Sequence, residues 1–398
     1  MLKRNLSANL FLFFLLLMPI NNIYEVYAMK QGILPYGGWS MALTPASIKI
    51  YKDIFIFIFS ILIILELASA HQYRIYFFSH PVITILFLIV LMLIFVSISI
   101  VNSGLLTAML GLRAYMNVVY VFVGLMLFPT LKREKLHRVL FLLILLQLTL
   151  QVYQYVEGQG LPVFAELRSP GFFIVPATAG LFSLLAYYVL PRNKTNFVLC
   201  FMSLILSTST IGLVVFIFTI IYGFCRRYIN NLLGVILFAT LGICVLFTLY
   251  NFAGDITGRG MGAVESLNAR IGILSAVYSK SDVGTIIWGN GFGLATSQAT
   301  LSESGEYFIT DNTFLSLFLN MGIISVVLYI VFLINLFVAD RSKMIFFTVL
   351  LYSITANIFE LNPVSALLFV VVGFIFHEYY TYRKNPEFNK NTIAKVQR

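Results

Sequence analysis

Apolar runs of nearly membrane-spanning length recur along the whole chain, separated by short polar or basic joints. Only one polar stretch is long, residues 252–311. A bilayer core about 30 Å thick is crossed by roughly 20 apolar helical residues. On that measure the pattern predicts about twelve helices, at 8–28, 53–70, 81–101, 113–130, 138–156, 172–190, 196–208, 209–224, 232–250, 312–337, 344–360 and 364–380. The seventh and eighth are short and read as a broken re-entrant pair around Ser207, Thr208, Ser209 and Thr210. The fold class expected is all-α, a polytopic transmembrane helix bundle forming a single domain over 1–398, with the 252–311 loop inside it.

Composition supports that class: 60% apolar residues, 11% charged and a mean hydropathy of +0.93 leave too much hydrocarbon for a water-soluble core. Basic residues then set the orientation, because positive loops stay cytoplasmic. With the N-terminus inside, 18 of the 26 Lys and Arg fall on the cytoplasmic side, among them the clusters at 132–138 and 383–398. The long loop is therefore expected outside. The net charge of +10 reflects this bias and contact with anionic inner-leaflet lipid, so nucleic acid is not an expected partner. Lys3, Arg4, the apolar run after them and Val26-Tyr27-Ala28 imitate a cleavable signal peptide. A retained first helix is the reading taken, since it keeps the even helix count that places both termini inside.

Cys200, Cys225 and Cys244 fall in or beside predicted helices, and His71, His80, His137 and His377 fall on the cytoplasmic side of this topology. An exterior step therefore has no imidazole base, no histidine-bound metal and no disulfide framework; neither metal nor cofactor is expected. A loop beyond about 15 residues is usually functional or disordered, and the composition of this one is not that of a disordered tail. Ile271, Ile273, Leu274, Val277 and Tyr278 follow Arg270 with helical spacing, as in a short amphipathic surface helix, and Ile286-Ile287-Trp288 leads into a tight turn, Gly289-Asn290-Gly291-Phe292-Gly293.

Those features in that order, an Arg heading an amphipathic exterior helix, a Trp-Gly-x-Gly-x-Gly turn, and Asp311-Asn312-Thr313-Phe314-Leu315 opening a helix that runs to Asn320-Met321-Gly322, resemble the O-antigen polymerase and O-antigen ligase superfamily of bacterial envelope glycosyltransferases. Leu167-Arg168-Ser169-Pro170-Gly171 and the Ser207–Thr210 break resemble the same superfamily, so the likeness spans residues 165–330. The resemblance implies a GT-C-like bundle in the bacterial inner membrane, with its active site facing the periplasm. It implies an undecaprenyl-diphosphate-linked oligosaccharide as substrate, and a chain-length regulator and a flippase as partners. The polymerases join a growing glycan to the next lipid-linked repeat unit; the ligases move the finished glycan to lipid A core. The polymerase branch is preferred because ligases resemble one another in an exterior His that is absent here.

Residue chemistry points the same way. A diphosphate leaving group needs its charge neutralised, which a guanidinium does bidentately at any physiological pH. Arg168 and Arg270 are the expected clamps, with Arg113 and Arg259 as weaker candidates; interfacial arginines that snorkel to lipid headgroups are the alternative for each. The acceptor hydroxyl must lose a proton, and without an exterior His a carboxylate is the natural base. Asp311 is the first candidate, though Asp there also suits a helix N-cap; Glu360, before Asn362-Pro363, is the second. Trp288, Glu303, Glu306, Tyr307 and Asn312 are candidate sugar contacts. From a different class, a twelve-helix transporter or lipid-linked-oligosaccharide flippase would place polar residues at the bilayer midplane and show related halves.

Overall fold

The computed structural model describes residues 2–20, 23–24, 27–28, 31, 46–69, 79–156, 169–173, 175–225, 283–292 and 312–384. Among them the secondary structure is helical, without strands: α1 (Leu2–Leu17), α2 (Ala46–Ser69), α3 (His80–Ser103), α4 (Leu105–Tyr115), α5 (Tyr120–Leu127), α6 (Arg133–Val156), α7 (Pro176–Val189), α8 (Lys194–Leu206), α9 (Thr210–Cys225), α10 (Val283–Trp288), α11 (Thr313–Ala339), α12 (Met344–Thr355) and α13 (Val364–Lys384). Every predicted span but the ninth contains helix; the ninth, 232–250, lies outside the described residues. Among the described residues, five helical stretches are long and apolar enough to cross a membrane: 81–101, 108–127, 133–156, 313–339 and 364–383.

Two of these differ from the rest. The stretches 108–127 and 364–383 are each 72% buried, whereas the other three are 33–39% buried. The centre of the bundle is accordingly the α5–α13 pair, and α3, α6 and α11 turn much of their apolar surface outward. Gly124 and Gly373 set how closely the central pair packs: a Cβ on Gly124 would lie 2.2 Å from the Val370 carbonyl oxygen. Where lipid is as apolar as leucine, such close backbone approach supplies the packing that holds helices together.

The helices also depart from the uniform spans that hydropathy predicts. Pro19 interrupts the first, so α1 ends at Leu17. The fourth begins eight residues early, because Gly104 alone separates α3 from α4, and it changes to a 3-10 turn at Met116–Val119 before α5 resumes. The eleventh stops at Thr355, and residues 356–363 form a buried turn containing a cis Asn362–Pro363 peptide. The short seventh and eighth are two helices meeting at Ser207–Ser209.

Candidate functional site

The irregular pieces gather at one end of the bundle, the end that carries Asn312. There α11 opens with Asn312 as its N-cap: the Asn312 Oδ1 accepts a hydrogen bond from the Leu315 N–H (2.9 Å), and its Nδ2 donates to the Ile354 carbonyl (2.8 Å). Thr313 donates to the Ala356 carbonyl and accepts from the Ile358 N–H, each at 3.0 Å. The first residues of one helix thus satisfy backbone groups left open at the end of another, a need every helix terminus has. A cap at Asn312 also bears on Asp311. The capping role is filled by its neighbour, and Asp311 itself lies outside the described residues.

Fixed in this way, the 356–363 turn sits over a buried polar cluster. Tyr115 is fully buried at the end of α4, and its hydroxyl is 2.6 Å from the Ser316 Oγ and accepts from the Asn320 Nδ2 (2.7 Å). Asn357 donates to both the Ser316 Oγ (3.0 Å) and the Glu360 Oε1 (2.8 Å). From the 3-10 turn, the Asn117 Nδ2 donates to the Phe359 carbonyl (2.7 Å) and the Asn362 Oδ1 (2.8 Å). A continuous chain of side chains therefore runs from the interior, through Tyr115, Ser316 and Asn357, to the half-buried carboxylate of Glu360. A satisfied network of this kind, in surroundings of low dielectric, rigidifies its members and fixes their geometry.

The glycine turn docks beside this cluster. Gly322 breaks α11 with φ 70° and ψ −170°, and a Cβ there would lie 2.0 Å from the Ile287 carbonyl oxygen; a Cβ on Gly289 would lie 2.6 Å from the Met321 nitrogen. Glycine is needed at both positions for the two backbones to touch. The carbonyls at the break find partners: Leu319 accepts from the Asn290 N–H (2.6 Å) and Leu317 from the Ser325 hydroxyl (2.9 Å). The Phe292 N–H donates to the Ser99 Oγ (2.7 Å), and the buried Phe292 ring meets Tyr115 edge-on at 5.4 Å. Trp288 is 57% exposed, with its ring centroid 6.3 Å from that of Phe95.

A second buried cluster holds the turn before α7. Gln147, Gln151 and Gln154 lie along one face of α6. Gln147 accepts from the Phe172 N–H and donates to the Pro170 carbonyl, both at 2.8 Å; Gln154 accepts from the Gly171 N–H (2.8 Å). Gln151 accepts from the Ser203 hydroxyl (2.7 Å), which is also 2.9 Å from the Ser183 Oγ. The turn so held begins at Ser169, the residue that follows Arg168 in sequence.

Of the predicted site residues, the structure describes Arg113, Trp288, Asn312 and Glu360. Arg168, Arg259, Arg270, Glu303, Glu306, Tyr307 and Asp311 lie outside the described residues. Glu360 joins the cluster, Asn312 caps α11, and Trp288 flanks the docked turn. Arg113 stands two residues before Tyr115, and its Nε donates to the Asp53 Oδ1 at 2.8 Å. Pairing with Asp53 cancels part of the charge that Arg113 would offer an anion. Sequence reasoning missed Tyr115, Asn117, Ser316 and Asn357, and also the glutamine row, whose spacing of four and three residues was a signal on view. Among the described residues no group of His, Cys, Asp and Glu could hold a metal ion. No protein-family model matches the chain, and no curated protein matches it significantly.

Proposed function

We propose that the protein is a polysaccharide polymerase of the O-antigen type, seated in the bacterial inner membrane with the Asn312 end toward the periplasm. In this reading a hydroxyl of one lipid-linked repeat unit attacks the anomeric carbon of the growing glycan. The bond from that carbon to the diphosphate oxygen breaks, undecaprenyl diphosphate leaves, and the hydroxyl proton passes to a carboxylate. Glu360 is the described candidate for that base, with Asp311 as the other. Arg168 and Arg270 would neutralise the leaving diphosphate, with Arg113 and Arg259 as further cations. Trp288, Glu303, Glu306 and Tyr307 would contact sugar.

The observation that carries the reading is the placement of Glu360. Asn357 holds its carboxylate at the edge of a buried polar network, on a turn that Asn312 and Thr313 fasten to the start of α11. A general base needs such positioning before its pKa matters. The resemblance in residues 165–330 supplies the reaction class, and the docking of the Trp-Gly-Asn-Gly-Phe turn into the break of α11 gives a physical reason for two of the glycines that carry it. That same break favours a second reading, because discontinuous helices are how many transporters build a binding site.

Purified protein in detergent, supplied with lipid-linked repeat units, separates the two readings. A polymerase lengthens the glycan without any membrane to divide compartments; a flippase leaves it unchanged. Orientation is tested separately with Ser304→Cys, which should react with an impermeant maleimide in intact spheroplasts. Labelling only after lysis would reverse the topology and remove the periplasmic mechanism.

A further inference from the structure

At the opposite end, about four turns along α13 from Asn362, the bundle encloses a cavity of about 350 Å³. Its walls are apolar, formed by Leu136, Val371, Phe374 and Ile375, and its polar lining includes Arg133, Arg192 and Glu378. Two guanidiniums face one carboxylate, so the lining is net cationic. Asp340, nearby in the α11–α12 turn, is not part of the lining and turns its oxygens to its own turn: Oδ1 accepts from the Ser342 N–H (3.0 Å) and hydroxyl (2.8 Å), and Oδ2 from the N–H groups of Ile345 (2.8 Å) and Phe346 (3.0 Å). Arg133 leans toward the cavity wall, with its guanidinium carbon 5.7 Å from the centroid of the Phe128 ring.

We infer that this cavity binds the phosphate headgroup of an anionic membrane phospholipid, with Arg133 and Arg192 on the phosphate and the first carbons of the lipid against Leu136, Val371 and Phe374. Charge complementarity calls for an anion, since planar guanidiniums bind phosphate oxygens by paired, charge-assisted hydrogen bonds. The apolar walls select the source. A free phosphate ion gains nothing from hydrocarbon contacts, whereas a lipid whose headgroup is bound has methylene groups to place there. The position fits as well, because the cavity sits at the ends of helices long enough to cross a membrane, at headgroup depth.

The full-length protein, purified in detergent, is offered equal amounts of phosphatidylglycerol and phosphatidylcholine with the same acyl chains, and bound lipid is counted by native mass spectrometry. Wild type should hold one phosphatidylglycerol in preference by roughly tenfold or more. The Arg133→Gln/Arg192→Gln pair should abolish the preference, while Lys132→Gln/Lys135→Gln, an equal change in charge on exposed residues outside the lining, should keep it. Val189→Trp, which narrows the cavity without altering charge, should weaken binding too. No preference in wild type, or equal loss in the lysine pair, would overturn the proposal. Displacement of the lipid by millimolar inorganic phosphate would reassign the site to the free anion.

Discussion

The two buried polar clusters at the Asn312 end are built from the same kinds of uncharged side chain and do different things. In the glutamine row, Gln147 and Gln154 spend their amides on the backbone of residues 170–172, and Gln151 spends its own on Ser203. The Tyr115 cluster instead passes hydrogen bonds from side chain to side chain until it reaches a half-buried carboxylate. The first arrangement shapes the chain. The second ends on a carboxylate held at the edge of the buried network, which is why Glu360 rather than a glutamine is proposed as the base.

The largest effect expected from that difference is on turnover. Glu360→Gln preserves the shape of the side chain and an oxygen for Asn357 to donate to, but it cannot accept the hydroxyl proton. Elongation of purified lipid-linked repeat units should slow by about 10² to 10⁴, the usual range for a lost general base, while thermal unfolding stays near wild type. Activity within about twofold of wild type would make the Tyr115 cluster structural like its neighbour, and Asp311→Asn would become the test of the base. Since Asn312 already caps α11, that substitution leaves the cap intact.

Breaking the glutamine row should show the opposite profile. Gln147→Leu leaves the half-buried Phe172 N–H without its partner and removes one of two donors to the Pro170 carbonyl, which also accepts from the Phe173 N–H (3.2 Å). An unsatisfied buried polar group costs about 1–3 kcal/mol and a half-buried one sits at the low end, about 1 kcal/mol, so the variant should lose a few degrees of thermal stability. Whatever fraction remains folded should keep its turnover. A Gln147→Leu protein as stable as wild type would mean that the turn does not depend on α6.

The sequence made the helices legible because hydrocarbon length is a strong signal: each span among the described residues contains helix. It did not reveal where those helices break. A 3-10 turn at Met116–Val119 and a stop at Thr355 carry no change in hydropathy, since Val118, Val119, Ile358 and Phe359 are as apolar as the helices around them. The polar cluster hid for the same reason. Tyr115, Ser316 and Asn357 are single polar residues in apolar runs, drawn together over 201 and 41 residues of sequence by packing alone. Glu360 was legible because a carboxylate beside Asn-Pro stands out, and Gly289 as part of a glycine turn; that the turn packs against Gly322 was not, because nothing in the sequence pairs the two glycines.

A smaller effect should follow Tyr115→Phe. The change deletes the hydroxyl shared by Ser316 and Asn320, yet the Ser316 Oγ also accepts from Asn357 and the Asn320 Nδ2 also donates to the Ser316 carbonyl. With those partners kept, the stability loss should be near the net worth of one hydrogen bond, about 1 kcal/mol. Turnover should fall further than stability if the network positions Glu360. Equal, small losses in both would confine Tyr115 to packing.

The smallest effect, and the one that decides between two roles for Arg113, comes from its partner. The Arg113–Asp53 pair is partly solvated, with side chains 31% and 40% exposed, so breaking it should change stability by no more than about 1 kcal/mol. Asp53→Asn keeps the size of the side chain and removes its charge, leaving the full positive charge of Arg113 at the Asn312 end. If that arginine helps to neutralise a diphosphate, the lipid-linked donor should bind more tightly and its KM should fall, because a competing carboxylate has been withdrawn. If Arg113 only ties α4 to α2, KM should not move. Arg113→Lys then distinguishes charge from shape: a clamp that uses the guanidinium fork loses donor affinity despite the conserved charge, whereas a tether tolerates the exchange.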